Sequence, residues 1–346
     1  MKTKTAELAH DVQPKLTIKL LFKALSTIVI FTAVLIFFTK NPTVQAKKIN
    51  HNLVVSEKNL RTHLAALSGL IGRNTDNPQT LNQAAAYVRN EWIKQGYAVT
   101  EQKYMVESRG INIEVKNLIV SYNVRNDPAQ KTIVVGAHYD VYGNFPGADD
   151  NASGVAGLLE LSRLVKEQKP NLAQRVDFVA YTLEEPPFYA TLQMGSYVHA
   201  KAMKDQGRSI SLMLSLEMIG FFSDEPNSQN YPIPYLNMVY PERGNFIALA
   251  GEFGEWFVTR KVKTYFQQMT ELPIESINTT KFMQGIDWSD HRSYWEFDYP
   301  ALMVTDTSYL RNKHYHKETD TAEKLDYIKM GEVVLGVYGV LLNYSY

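Results

Sequence analysis

The chain has 346 residues, with 36 lysines and arginines against 36 aspartates and glutamates, no cysteine, and 45% hydrophobic content. That length suits one large domain or two small ones, and the lack of cysteine excludes disulfide frameworks, thiolate zinc sites, iron–sulfur clusters and cysteine nucleophiles. A net charge of zero gives no global signal for nucleic acid or another polyanion.

Lys2, Lys4, Lys15, Lys19 and Lys23, against Glu7 and Asp11, precede an uncharged apolar run from Ala24 to Phe38. The run is shorter than the ~20 residues that span a bilayer as a helix. Extended back to Leu16 it is long enough, provided Lys19 and Lys23 snorkel to the interface. Nothing polar alternates with the apolar residues, which argues against a helix of a globular core. Residues 16–38 therefore read as a membrane anchor. The alternative is a signal peptide cleaved near Ala46, where Val44-Gln45-Ala46 offers small or tolerated residues. Both readings place the rest of the chain outside the cytoplasm by the positive-inside rule, a compartment that suits a protein without thiols. Residues 1–46 hold six lysines and two acids, leaving 30 basic against 34 acidic residues in 47–346. We divide the chain there, into a basic N-terminal segment and one domain.

Within that domain, apolar spacing predicts helices over Ser56 to Leu67 and Leu81 to Gln95, the second closed by Gly96. Strands are predicted over Ala98 to Met105, Asn117 to Tyr122, Thr132 to Ala137, Val176 to Thr182, Leu212 to Glu217 and Ala301 to Thr305. Most are short and apolar nearly throughout, as in a sheet covered on both faces. Helices are predicted between and after them, over Gly154 to Glu167, Gly195 to Gln206, Glu252 to Phe266 and Met330 to Leu342. The alternation predicts an α/β protein, a three-layer α/β/α sandwich, with its chemistry beyond the carboxyl ends of the central strands.

Five segments carry groups suited to metal chemistry. TIVVGAHYD ends a strand in His138 with Asp140 two residues on, a spacing at which a carboxylate orients a ligating imidazole. FPGADDNASG sets Asp149 and Asp150 beside a helix start; capping explains one acid, not two. RVDFVAYTLEEPP closes a buried strand with Glu184 and Glu185, which repel unless a cation or proton lies between them. One could bind metal while the other stays free as a base. SLMLSLEMIG buries Glu217 in an apolar strand, a costly place for an unpartnered charge. NKHYHKETD brings His314 and His316 to one side of an extended segment. Singly, each has a bland explanation as a loop hydrogen bond, a cap or a solvated pair. Together, three carboxylates, two histidines and a spare glutamate form a ligand set for two divalent ions bridged by one carboxylate. Oxygen and imidazole donors without thiolate suit zinc, with manganese or cobalt as substitutes. Two such ions sharing a water would acidify it.

In order, GAHYD, GADDNASG, LEEPP, LEMIG, SDHRSYW and HYHKETDT resemble the motifs of the two-zinc exopeptidases of metallopeptidase family 28, which includes bacterial leucyl aminopeptidases and glutamate carboxypeptidase. The resemblance implies the zinc-dependent exopeptidase fold, with a mixed, mostly parallel central sheet, and two zinc ions per chain. It makes Asp150 the bridging ligand, with a cis peptide to Asn151. His138 and Glu217 complete one site, while Glu185 and His316 complete the other. Glu184 becomes the general base, Tyr315 a hydrogen-bond donor to the developing oxyanion, and Asp140 the group that orients His138. Asp290 and His291 match a recurring Ser-Asp-His element and receive no ligand role. Two departures stand out. Glu217 replaces the aspartate of many members, and PPFYATLQM lengthens the path from Glu185 to Gly195-Ser196; that insertion either lines the substrate cleft or is a surface excursion.

The expected activity is that of an extracytoplasmic metal-dependent exopeptidase, an aminopeptidase acting on peptides. The alternatives are a single-zinc glutaminyl cyclase, or a binding relative that has lost catalysis. Basic residues and the 21 tyrosines do not cluster together, so no nucleic-acid partner is expected.

Overall fold

The computed structural model describes residues 4–43, 46–127 and 129–345, and of residues 4–18 only the helical backbone. Lys2, Val44 and Gln45, used above in weighing anchor against signal peptide, lie outside the described residues. A single helix α1 (Lys4–Lys40) contains the apolar stretch. Its part from Lys19 to Lys40 is long and apolar enough to cross a membrane, and a signal sequence near an N-terminus meets the same test.

Two helices follow, α2 (Glu57–Ser68) and α3 (Pro78–Lys94). The Ser56 hydroxyl caps α2 by accepting the Asn59 N–H, satisfying one of the free donors of a helix start. The hairpin β1 (Thr100–Ser108) and β2 (Ile111–Tyr122) leads to β3 (Thr132–His138), α4 (Gly154–Gln168), β4 (Arg175–Tyr181), α5 (Gly195–Asp205) and β5 (Ile210–Glu217). Then come β6 (Ile247–Glu252), α6 (Trp256–Gln267), β7 (Ile274–Thr279), the short α7 (His291–Trp295), β8 (Ala301–Thr305) and α8 (Tyr327–Asn343).

The strands form one mixed sheet of order β1-β2-β4-β3-β5-β8-β6-β7. Its centre, β4, β3, β5 and β8, is parallel, so four strand ends converge on one rim. Every residue of β3 and β5 is buried, and their side chains alternate between two cores. Ile133, Val135, Leu212 and Leu214 face the larger core with α4 and α8, while Val134 and Met213 face a smaller one with Ala200 and Tyr294. A sheet covered on both faces was the expectation, and the three layers are present.

Two strands were not foreseen. Ile247 to Gly251 is rich in alanine and glycine, so Glu252 read as a helix start; instead it closes β6, and α6 begins only at Trp256. Pairing with β8 and β7 overrides local propensity there. In β7 the buried positions alternate with half-buried ones, but two of the inward residues are polar. Ser276 accepts from the Lys263 ammonium and donates to the Lys40 carbonyl, while Asn278 Oδ1 accepts from Asn41 Nδ2 at 2.6 Å. Polar groups facing inward mask the period-two signal. At the outer edge of β7 the Ser276 carbonyl accepts from the Tyr240 hydroxyl, pairing one of the backbone groups that an edge strand exposes.

Helices α6 and α8 approach closely at Gly336, where an added Cβ would lie 2.1 Å from the Phe266 ring. A Gly336→Ala change gains about 1 kcal/mol of helix propensity, but overpacking a buried ring costs about 1–3 kcal/mol. Net destabilisation is expected, read as a lower denaturation midpoint at unchanged slope in urea.

Candidate metal centre

His138 is the last residue of β3, Glu217 is the last of β5, and Glu184 and Glu185 follow the end of β4. Parallel pairing of these strands brings them to one rim. Asp150 comes from an irregular turn, Ala148–Ser153, that leads into α4. The Asn151 side chain anchors this turn to the end of β5: Nδ2 donates to the Leu216 carbonyl at 2.8 Å, and Oδ1 accepts from Met218 N–H at 3.0 Å. The Asp150–Asn151 peptide is cis. Gly147, with φ of 55°, begins the turn; a Cβ there would meet the Asp150 carbonyl at 2.2 Å, so only glycine fits.

The structure separates the members of each ambiguous pair. Asp149 turns away from the centre, accepting from Gly220 N–H and from Asn312 Nδ2. His314 turns outward to the Thr319 hydroxyl. His316 turns inward, with Nε2 3.0 Å from Asp150 Oδ2 and 3.4 Å from Glu185 Oε2. His138 Nε2 lies 3.2 Å from Glu217 Oε2 and 3.5 Å from Asp150 Oδ1. Two triads result, His138–Asp150–Glu217 and Asp150–Glu185–His316, each with its donor atoms within 4.8 Å of one another. Glu184 belongs to neither, and its Oε2 is 3.8 Å from His138 Nε2.

Asp140 braces this arrangement from behind. Its two oxygens accept the Glu184 and Glu185 N–H groups, each at 3.1 Å, and one lies 3.5 Å from His138 Nδ1. Asp320 does the same for the turn, accepting the Asp149 and Asp150 N–H groups. Ser289 donates to Glu217 Oε2 at 2.7 Å. Asp290 is buried with both carboxylate oxygens unpaired, and His291 Nε2 donates to the Ile286 carbonyl at 2.8 Å while its Nδ1 is unpartnered. Neither belongs to a triad.

Electrostatically the centre is a set of acids in a dry place. Burial pushes Glu184 well above an ordinary glutamate; His138 opposes this, while Glu185, Glu217 and Asp290 add to it. Burial also raises Glu185, to about 7, with Asp150 adding and His316 opposing. Burial would lower His316, but the Asp150 and Glu185 carboxylates beside it hold it up at about 10. The fit to a cation follows from the unpaired donors. His138 Nδ1 and Nε2 and His316 Nε2 are buried without a hydrogen-bond partner, while facing carboxylates at 3.0 to 3.8 Å. Divalent ions between them would satisfy the imidazoles and relieve the carboxylate repulsion together.

Two residues escaped the sequence reading. Tyr142 gives its N–H to Glu185 Oε1, and its ring stacks on His316 at 4.2 Å; Tyr315 stacks at 3.8 Å, the two rings flanking the imidazole. The alternation His138, Asp140, Tyr142 along an extended segment was the available signal. Arg73 gave none, being a loop arginine between α2 and α3. It is fully buried behind the acids, donating to the carbonyls of Leu67, Tyr139, Pro146 and Gly147. Burial lowers its pKa to about 10, against the pull of Asp150, Asp140 and Asp320, so it stays charged at neutral pH. Arg73→Leu removes a buried cation and strands four carbonyls. A loss of about 3–5 kcal/mol is expected, measurable by denaturant unfolding, with only partial recovery in Arg73→Lys.

The centre opens into a cavity of about 360 Å³. Asp150, Glu184, Glu185 and Glu217 line one part of it, and Leu236, Ala250, Ile277, Met283 and Met303 line the rest. Pro186 and Tyr189 of the lengthened loop also line it, whereas Leu192 is exposed. That segment is thus cleft wall at its start and surface over residues 190–193, before Met194 is buried.

Residues 117–340 match the family model described as Peptidase family M28. The chain belongs to peptidase family M28. As an M28 member it is a metallopeptidase, a hydrolase. A protein of Escherichia coli K12 described as uncharacterized protein YfbL is 43% identical over 279 residues, 78% of this chain and 83% of that one. A probable leucine aminopeptidase of Arthroderma otae is 28% identical over 228 residues. That match covers 62% of this M28 chain and 54% of the relative. Two solved structures share the fold. One is a Zn-dependent exopeptidase of Parabacteroides distasonis, with TM-score 0.62, 16% identity, 85% of this chain and 100% of that one. The other is a Bacteroides thetaiotaomicron glutaminyl cyclase bound to N-acetylhistamine, with TM-score 0.63, 19% identity, 85% of this chain and 99% of that one.

Proposed function

We propose that this M28 chain is a two-zinc aminopeptidase, held by its N-terminal helix in a membrane with the catalytic domain outside the cytoplasm. The observation that carries the reading is the pair of triads sharing Asp150, with Glu184 beside both and part of neither. His138, Asp150 and Glu217 would hold one ion, and Asp150, Glu185 and His316 the other, with manganese or cobalt as workable substitutes. Zinc, when bound, supplies Lewis acidity toward the scissile carbonyl and lowers the pKa of water. The Glu184 carboxylate takes the proton of the attacking water and delivers it to the leaving amine. Tyr315, beside His316 on the cavity wall, donates to the carbonyl oxygen as charge develops there. Asp140 holds both glutamates in register through their backbone N–H groups.

The cavity lining favours an amino over a carboxyl terminus. Among the described residues it includes four acids at the centre and Glu275 farther along, but no lysine or arginine. Away from the proposed ions a substrate carboxylate would find no lysine or arginine to pair with, whereas an ammonium can pair with a carboxylate of the lining. The apolar wall fits an apolar first side chain.

The helix contacts favour an anchor over a cleaved leader. Lys40 Nζ donates to the Val239 carbonyl at 2.5 Å, and Asn41 is fully buried. Cleavage near Ala46 would discard both contacts, and the mass of the mature protein decides the point.

The test of activity is a panel of aminoacyl anilides and end-blocked dipeptides. Free-amino leucyl and related substrates are expected to be cleaved, N-acetylated ones spared, and activity lost on chelation and regained with zinc. Cleavage of N-acetylated peptides from the carboxyl end would overturn the assignment. A glutaminyl cyclase reading draws on the shared fold. It predicts ammonia loss from N-terminal glutaminyl peptides without peptide cleavage, and one ion per chain rather than two.

A further inference from the structure

We infer that the domain lies against the membrane through an apolar and basic rim surrounding the exit of α1, so that the bilayer surface contacts the wall of the substrate cavity. This rests on the anchoring proposed above, and its test separates the two.

The exit is fixed on two sides. Phe38 packs edge-on against Trp256 at 4.9 Å, and the Arg260 guanidinium lies 4.9 Å over the Phe37 ring. On the other side Lys40 reaches Val239 and lies 5.0 Å from the Tyr240 ring. Chain geometry therefore holds both flanks where the helix meets the domain. Each flank presents large apolar side chains to solvent. Beside Trp256, Phe253 is 45% and Phe257 56% exposed; beside Val239, Tyr235 is 43% and Met238 81% exposed. Such groups on a soluble surface carry a hydration cost that a bilayer interface removes.

The chemistry is that of a headgroup layer. Aromatic rings with one polar end prefer the membrane–water boundary. Lys261 sits 4.9 Å over the Phe257 ring, and with Arg260 it places cations at the depth where anionic headgroups attract them. The occupant is therefore a lipid surface bearing anionic headgroups, the same membrane that would hold the helix.

Contact there bears on the site. The segment from Pro234 to Met238 presents Met238 outward and Leu236 into the cavity, and Tyr240 lines the cavity while donating to the Ser276 carbonyl. A membrane pressed on one side of this segment supports the cavity wall on the other.

The absence of cysteine allows a direct test in the full chain. Single-cysteine variants Leu25→Cys, Met238→Cys, Phe257→Cys and Ile111→Cys are labelled with an environment-sensitive fluorophore. They are then reconstituted in nanodiscs of mixed neutral and anionic lipid, with and without nitroxide-labelled lipid. Ile111 opens β2, next to the edge strand β1 and six strands from β7, roughly 30 Å away by strand spacing. Strong quenching is expected at positions 25, 238 and 257 and none at 111. Quenching at 25 without quenching at 238 and 257 overturns the rim while leaving the anchor intact. No quenching at 25 overturns the anchor and the rim with it, and equal quenching at 111 overturns a specific face.

Discussion

Replacing Glu184 with glutamine lowers kcat by about 10²–10⁴-fold, the range lost with a positioned general base, while the protein folds at least as well as the parent. The two parts of this result follow from the same surroundings. Glu184 is buried, 7% exposed, among Glu185, Glu217 and Asp290, so a neutral amide of equal size removes repulsion and desolvation cost. It also removes the group that carries the proton. Because Glu184 lies outside both triads, the variant keeps the full set of proposed ligands, and zinc content should be unchanged. The kinetic loss falls on kcat with KM little altered, as for an interaction made only in the transition state, and amounts to about 3–5 kcal/mol of barrier. Steady-state kinetics, elemental analysis and a melting curve on one preparation check all three statements. Parental turnover in Glu184→Gln would remove Glu184 from the mechanism. Loss of zinc would recast it as a ligand.

Most of the framework was legible because central parallel strands are buried on both faces and so appear as continuous apolar runs. The end of β3 at His138 and the end of β5 at Glu217 followed from that, and strand ends in an open α/β sheet are where polar chemistry gathers. Periodicity failed at the sheet's other side. The inward face of β7 is built from Ser276 and Asn278, whose partners Lys40 and Asn41 lie more than 230 residues away in sequence. Local pattern holds no trace of so distant a contact. Arg73 shows the same limit, since its burial depends on four carbonyls contributed by three separate segments. The choice between Asp149 and Asp150 could not be made from spacing alone, because adjacent residues differ only in which way the turn points them. Asn151 settles that direction by bonding to the end of β5. Tyr142 is a different case: its place on the His138–Asp140 side of an extended segment was readable.

Asp150→Ala abolishes zinc stabilisation at both sites, whereas Glu217→Ala and Glu185→Ala each abolish it at one. The distinction comes from topology. Asp150 Oδ1 faces His138 and Oδ2 faces His316, so a single side chain completes both triads. A ligand that binds only the folded state stabilises by about 2.7 kcal/mol at 100 times its dissociation constant. For a domain of this size that corresponds to a melting shift of roughly 2–4 °C per kcal/mol. Two filled sites should thus raise the melting temperature of the parent by about twice the shift of either single-site variant, and Asp150→Ala should show none. Metal counts after dialysis provide an independent readout, with two, one and no ions expected for the parent, the single-site variants and Asp150→Ala. Neither measurement depends on turnover, so the ligand assignment stands or falls apart from the choice of substrate. Retention of two ions by Asp150→Ala would show that the shared carboxylate is not the bridge. Loss of both ions from Glu217→Ala would show instead that the sites fill only as a coupled pair. Glu217→Asp separates charge from reach: if the extra methylene sets the position of that ion, the shorter acid shifts zinc affinity at this site alone and leaves the His316 site unchanged.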